Sequence, residues 1–301
     1  MRPFLAALLL MMSSFLTAAP LKLDHVGICG YDLESLQAAF DAIHLQAEYG
    51  GAHATGGTHN ALLGFDDGSY LELIALQKPG SATGDEAHRW KNLKPGMSRV
   101  CFWAIHTDNL QVLVDSFHRA KLAISDPHPG SRKKPDGTVL QWQTAAVPDN
   151  KGGDILPFAI HDITPRTSRI QPSDSVKGSE LTGVKRVVIG VKDLNAAVAL
   201  YRKAFRLGEP QFHTKGGVPA MTQAYFPGTP IILEQSWQGL WGFDQVASFG
   251  EGPIAVLLGT RDINKTKRRA YLQDGGTLFG RKVMWFECVT AERLHIGVIE
   301  E

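Results

Sequence analysis

The chain repeats itself, and the repeat narrows the folds open to it. Residues 25–40 begin His25-Val26-Gly27-Ile28, reach Asp32-Leu33 and end an amphipathic run at Phe40. Residues 186–201 begin Arg186-Val187-Val188-Ile189, reach Asp193-Leu194 and end at Tyr201, at an offset of 161 without a gap. In both, a short apolar strand leads to an Asp placed as the N-cap of a helix. Weaker copies run from Val100 to Asp108-Asn109-Leu110 and from Ile254 to Asp262-Ile263. A strand-then-helix opening that recurs at this spacing signals a modular fold. It disfavours a Rossmann sheet or a TIM barrel, which are built from alternating β/α units.

Each opening continues into strands. The first gives Asn60–Phe65 and Ser69–Leu76 around the turn Asp66-Asp67-Gly68, and the second gives Thr138–Ala146 and Ile155–Ile163. The third gives Met221–Phe226 and Pro230–Gln235, and the fourth Lys282–Val289 and Leu294–Glu300. The stretch Thr164–Glu180 is rich in Pro, Ser and charge and lacks apolar periodicity, so it reads as a linker between two pairs of modules.

Charge and composition exclude several functions. Lys plus Arg total 31 against 30 Asp plus Glu, a net charge of +1, so the basic surplus of a nucleic-acid binder is absent. A hydrophobic share of 44% and a charged share of 20% exclude disorder and coiled coils. Cys29, Cys101 and Cys288 are too few for a disulfide scaffold and too far apart for a CxxC motif. One pair plus an odd thiol, or three buried thiols, both stay open; Cys29 and Cys101 could approach across neighbouring strands.

Residues 1–20 have the layout of a secretory signal: Arg2, an apolar core from Phe4 to Leu16, then Thr17-Ala18-Ala19 before Pro20. That core is short for a bilayer, which takes about 20 apolar residues. The expectation is a secreted or periplasmic protein, off the membrane after signal cleavage, monomeric or homodimeric. No Walker loop, HExxH motif, nucleophilic-Ser elbow or dinucleotide fingerprint occurs.

Paired βαβββ modules opening on Asp24-His25-Val26 resemble the vicinal oxygen chelate, or glyoxalase-like, superfamily. The segments Gly57-Thr58-His59-Asn60, Tyr70-Leu71-Glu72-Leu73, Ser131-Arg132, Pro135-Asp136-Gly137 with Trp142, and Leu156-Pro157-Phe158 are similar to one glyoxalase-like domain group, over about residues 22–163. The resemblance implies an α+β fold of four tandem βαβββ modules pairing into two cupped half-barrels, one over 21–163 and a degenerate one over 181–301, with 164–180 between them. It also implies a divalent ion (Zn, Fe, Mn or Ni) and a small oxygenated substrate chelated through vicinal oxygens.

The residues themselves support part of that site. Strict alternation puts Leu23, His25, Gly27 and Cys29 on one face of a strand apolar on both sides, so the imidazole is buried. Either it is satisfied by hydrogen bonds or it is a ligand. Glu72 shares a face with Ile74 and Leu76 in another such strand, where a carboxylate needs a cation or strong donors unless the strand lies at an edge. The resemblance makes His25 and Glu72 metal ligands, with Glu72 also catalytic, and His161 in the matching strand of the second module a third ligand. The superfamily expects a ligand at the opening of that module, but Arg99-Val100-Cys101-Phe102-Trp103 offers Cys101 or Phe102 instead. His53, Thr58, His59 and Asn60 lie in a Gly-rich segment suited to a substrate-binding lip. Arg132 suits a substrate carboxylate or phosphate, and Trp142 completes the expected substrate-binding set.

In the second half Arg186 replaces His25, Ala255 falls at the fourth opening, and Glu234 matches Glu72. That half is expected to be structural or to bind an anion. The leading expectation is a metal-dependent lyase, isomerase or dioxygenase-type enzyme that stabilises an enediolate or oxyanion. The alternatives are a metal-free module that sequesters a small molecule in the same cup, and a duplicate in which neither half is active.

Overall fold

The computed structural model describes residues 21–53, 57–78, 85–134, 136–148, 155–215, 220–287 and 294–301. The signal-like residues 1–20 and Cys288 lie outside them. The first half runs β1 (Lys22–Gly30), α1 (Leu33–Asp41), β2 (Glu48–Ala52), β3 (Thr58–Gly64), β4 (Tyr70–Leu76), a 3₁₀ turn (Asp85–Trp90), β5 (Ser98–His106), α2 (Leu110–Arg119), β6 (His128–Lys133), β7 (Val139–Ala145) and β8 (Phe158–Asp162). After α3 (Arg166–Arg169), the second half runs β9 (Leu181–Gly190), α4 (Leu194–Phe205), β10 (Gln211–Lys215), β11 (Met221–Tyr225), β12 (Ile231–Ser236), α5 (Trp241–Phe249), β13 (Gly252–Thr260), α6 (Ile263–Arg269), β14 (Leu272–Leu278), β15 (Arg281–Phe286) and β16 (His295–Glu300).

The strands form two eight-stranded sheets, ordered β2-β3-β4-β1-β5-β8-β7-β6 and β10-β11-β12-β9-β13-β16-β15-β14. The same order recurs, as the repeat requires. Each sheet pairs its two module-opening strands antiparallel at the centre and curls into a half-barrel. All four repeated helices start as their sequence demands. The side chains of Asp32, Asn109, Asp193 and Asp262 accept from the backbone N–H groups of Ser35, Val112, Ala196 and Lys265.

One core serves both halves. Leu36 and Phe40 of α1, Val114 and Phe117 of α2, and Tyr201 and Phe205 of α4 lie in one buried cluster with Val26, Leu71, Val187 and Val256 from the two sheets. Phe117 and Phe205 meet edge to face at 5.6 Å, and the Tyr201 hydroxyl donates to the Ile155 carbonyl. At the seam, Lys185 pairs with Asp67 at 2.9 Å and the Val184 N–H donates to Ser69 Oγ. Gly183 has φ +145° and packs against the Asp67 carboxylate, where a Cβ would collide.

The segment read as a linker is ordered and packed. Arg169, Ile170, Ser173 and Val176 are buried, and Ser173 Oγ accepts from the Gly64 N–H. Its polar composition reflects both the ion pairs of Arg166 and Arg169 with Asp24 and Asp162 and an exposed outer side that carries Asp174 and Lys177. Among the described residues no helix is long and apolar enough to cross a membrane.

Candidate functional site

A bulge in β1 sets the site. The pairing of β1 with β5 slips between Leu23 and His25, so Leu23 turns into the main core with Val26 and Ile28. Simple alternation, which puts Leu23 on the face of His25, is corrected by this extra residue. Asp24, fully buried, is the residue the bulge inserts.

His25 faces the cup and stacks on Tyr70 at 4.6 Å, with the edges of Phe102 and Phe158 closing round it at 5.9 and 5.4 Å. Its Nδ1 lies 2.7 Å from Asp24 Oδ1. Asp24 is itself gripped by Arg166 and Arg169, and its carboxylate accepts the hydrogen bond of Nδ1–H. The imidazole then presents Nε2 to Glu72 Oε2 at 3.4 Å. Burial pushes His25 down to about 4, against the pull of Glu72.

Glu72 is buried on β4, the third strand from the sheet edge. Burial alone would raise its pKa. Its neighbours His25, His53, Asn60 and Arg132 outweigh that and hold the carboxyl below its usual range. Asn60 Nδ2 donates to Oε1 at 2.6 Å, and His53 Nε2 stands 3.5 Å from the same oxygen. His53 Nδ1 is tied to Thr58 Oγ1 at 2.7 Å. Arg132 is buried and donates to the Gly50 carbonyl, and a bridge between His53 and Arg132 joins the two edges of the curled sheet. The sequence-selected residues His25, His53, Thr58, Asn60, Glu72 and Arg132 are thus brought together.

Two others, His161 and His59, are placed on the opposite face, and Trp142 lies on the cup face. His161 follows Ala159, which lies in the main core, so alternation turns it to the opposite face from Phe158 and His25. Its Nδ1 meets the Thr107 carbonyl at 3.1 Å. His59 shares the face of Ala61 and Leu63, and its ring lies 6.3 Å from Tyr49. Trp142 pairs opposite Gly130, lays its ring where a Cβ at that glycine would be, and so shares the face of Arg132 two residues along β6.

The second module supplies no ligand at its opening. Cys101 is in a disulfide with Cys29. Phe102 pairs opposite Gly27 and lays its ring where a Cβ at that glycine would be. The residues missed by sequence reasoning are Asp24, Tyr70, Asp162, Arg166 and Arg169. Arg169 reaches Asp162 at 2.6 Å, Asp24 at 3.0 Å and the Tyr70 hydroxyl at 2.6 Å. The available signal was Asp24 itself, a carboxylate in a strand apolar on both faces, which requires a cation.

The second half corrects one match. Gly27 pairs with Glu72, and its repeat equivalent Val188 pairs with Ile232, so Glu234 sits two residues further along and aligns with Ile74. Burial raises the Glu234 pKa against the bonds from Ser236 and Gln223. It is held by hydrogen bonds from Gln223 and Ser236 and does not stand at the repeat position of Glu72.

The family described as the glyoxalase-like domain matches residues 23–205. The chain belongs to that family. The match begins at β1, holds every residue of the His25–Glu72 cluster and runs through α4 of the second half. Among solved structures, a variant of 4-hydroxymandelate synthase from Streptomyces coelicolor aligns over 93% of this chain and 92% of its own, with TM-score 0.64 and 14% identity. A hypothetical protein from Staphylococcus aureus aligns over 93% and 100%, at 0.60 and 13%. The Mn(II)-bound glyoxalase from Novosphingobium aromaticivorans aligns over 94% and 83%, at 0.55 and 11%. These likenesses establish the vicinal oxygen chelate fold. No curated protein matches the chain in sequence.

The donors fit a divalent ion in kind. Two imidazole nitrogens meet two oxygens of one carboxylate at 3.4 and 3.5 Å. Neighbouring ligands on one ion stand about 3.4 Å apart when bonds are about 2.1 Å and angles tetrahedral. Among the described residues no group of three or more His, Cys, Asp or Glu side chains is placed, as the chain stands, to hold a metal ion.

Proposed function

We propose that this is a metal-dependent enzyme of the glyoxalase-like type, acting on a small oxygenated substrate in the first cup. One observation carries the reading: Nε2 of His25 and Nε2 of His53 converge on the two oxygens of one buried carboxylate, at 3.4 and 3.5 Å. Imidazole nitrogens and carboxylate oxygens at that spacing need a cation or a shared proton between them. His25, Glu72 and His53 would hold the ion, His53 taking the part first given to His161. Two His and one carboxylate leave further positions for substrate oxygens. The ion would supply Lewis-acid stabilisation of developing negative charge.

The chain's own groups do the rest. Asp24 holds the Nδ1 proton of His25 and so fixes which nitrogen faces Glu72, while Thr58 orients His53. Arg132 supplies a buried positive charge beside Glu72 that suits a substrate oxyanion or carboxylate. Tyr70, Phe102 and Phe158 exclude water from His25. His53 is 21% exposed, against 3% for His25, so substrate would enter on its side.

A second reading has an observation of its own. Phe102 fills the opening of the second module, and Asn60 already satisfies Glu72 Oε1, an arrangement compatible with a metal-free binding module. Elemental analysis of protein purified without chelator or affinity-tag metal separates the two. The expected result is at most one transition-metal ion per chain. Substoichiometric metal that cannot be raised with zinc, iron, manganese or nickel sinks the enzyme reading. Export is part of the same proposal, supported by the signal-like residues 1–20 and by the pairing of Cys29 with Cys101.

A further inference from the structure

The second cup has its own opening, built from different chemistry. A cavity of about 180 Å³ lies on its concave face, with Arg186, Tyr225, Ile232, Phe279, Arg281 and Ile299 among its walls. These come from β9, β11, β12, β15 and β16 and the turn before β15, so the curled sheet itself makes the space. Arg186 stands at the repeat position of His25, on the residue after the bulge that β9 shares with β1.

Its guanidinium is only partly used. One N–H donates to the Lys185 carbonyl at 2.7 Å and another to the Tyr225 hydroxyl at 3.1 Å, with the group 4.9 Å over the Tyr225 ring. That leaves three of the five N–H donors a guanidinium offers. Among the described residues no carboxylate lies within ion-pair distance of Arg186; Glu301 acts on it only from farther off and is engaged by Lys185 at 3.3 Å. A second guanidinium, Arg281, borders the same cavity. Two like charges facing one space without an acid inside it are a standing repulsion that an anion relieves. The remaining walls are apolar or aromatic, with Tyr225 and Phe279 ring to ring at 5.2 Å.

We propose that the second cup binds a small monocarboxylate with an apolar or aromatic body, its carboxylate forked by Arg186 and steadied by Arg281 and its body held against Tyr225, Phe279, Ile232 and Ile299. An Arg fork meets a carboxylate through two parallel hydrogen bonds, and a closed apolar wall rewards a ring or branched chain more than a bare inorganic anion. The half without the metal-type cluster would then be a second binding site in its own right.

The test is calorimetric titration of the full chain with benzoate, in the presence of chelator so that the first cup's metal plays no part. Saturable one-to-one binding is expected. Benzyl alcohol and inorganic phosphate should each bind at least about tenfold more weakly, because each lacks one half of the recognition. Arg186→Met should lose about tenfold or more, and Glu72→Gln should bind as the wild type does. Arg281→Gln, at an exposed position where folding is not at stake, should weaken binding several-fold and decides the matter if Arg186→Met does not fold. No binding of benzoate at millimolar concentration would overturn the proposal. So would equal binding of phosphate, or full affinity in either arginine variant.

Discussion

Asp24 Oδ1 and His25 Nδ1 lie 2.7 Å apart although the two residues are adjacent in one strand. Only the bulge lets consecutive side chains meet, since regular β structure sends them to opposite faces. The same carboxylate is held by Arg166 and Arg169. Asp24→Asn should therefore act twice. It leaves the buried guanidinium of Arg169 and the partly buried one of Arg166 short of an anion, a loss of roughly 3–5 kcal/mol. It also frees the His25 tautomer, which should weaken metal binding by about 10–100-fold. Denaturant unfolding and metal titration read the two effects separately; unchanged metal affinity would remove Asp24 from the site.

For Glu72→Gln the structure alters what the sequence suggests. A lone buried carboxylate would be a burden, and its removal would leave the metal-free protein as stable or more so. Glu72 is instead bonded to Asn60 and lies beside Arg132. The metal-free variant should lose about 1–2 kcal/mol. The rise in melting temperature on adding metal should vanish. Equal metal-induced shifts in both proteins would exclude Glu72 as a ligand.

His53 and His161 are distinguished by the same measurement. His53→Ala should lower metal affinity sharply, while His161→Ala should leave it unchanged and cost about 1 kcal/mol for the bond to Thr107. The reverse result would restore the ligand set implied by the family resemblance.

The Cys29–Cys101 bond closes a separation of 72 residues across the two central strands of the first sheet. Chain-entropy reasoning assigns such a loop about 4 kcal/mol. Reduction, or the double change to Ala, should lower the melting temperature by roughly 5–10 °C. Thiol labelling of the unfolded, unreduced chain should mark Cys288 alone. Three labelled thiols would rule the bond out.

His295 stacks on Trp241 at 3.8 Å with Trp285 at 5.0 Å, and burial lowers its pKa to about 4. A histidine harder to protonate folded than unfolded contributes its stability fully above about pH 6.5 and loses it as pH falls towards 4. Melting temperatures between pH 7 and 4.5 should fall less steeply for His295→Phe, which keeps the stacking and removes the titration. Parallel curves would mean that His295 is not a source of acid sensitivity.

The sequence made the repeat, the helix caps and most of the His25–Glu72 cluster legible, because each depends on local pattern. The strands it missed, β2, β6, β10 and β14, are the outermost of their sheets. Edge strands carry turn and charged residues such as Gly50-Gly51 and Arg132-Lys133, so alternation is weak there. His161 was misplaced because a shift of one residue reverses a strand side chain. The partners of Asp24 were missed because Arg166 and Arg169 lie in a Pro- and Ser-rich stretch, where composition imitates a solvated connection. Only the folded chain shows that Arg166 and Arg169 turn inward while Asp174 and Lys177 face out.

The shared core has a practical consequence for anyone who divides the protein. Helices α1, α2 and α4 pack into one cluster with both sheets, so Phe117 and Phe205 each need the other half to stay dry. A protease that cuts between residues 170 and 180 should leave two pieces that remain together as a nicked particle on a sizing column and separate only in denaturant. Residues 21–163 expressed alone would expose that whole apolar face and precipitate. The two pieces expressed side by side should reassemble by complementation.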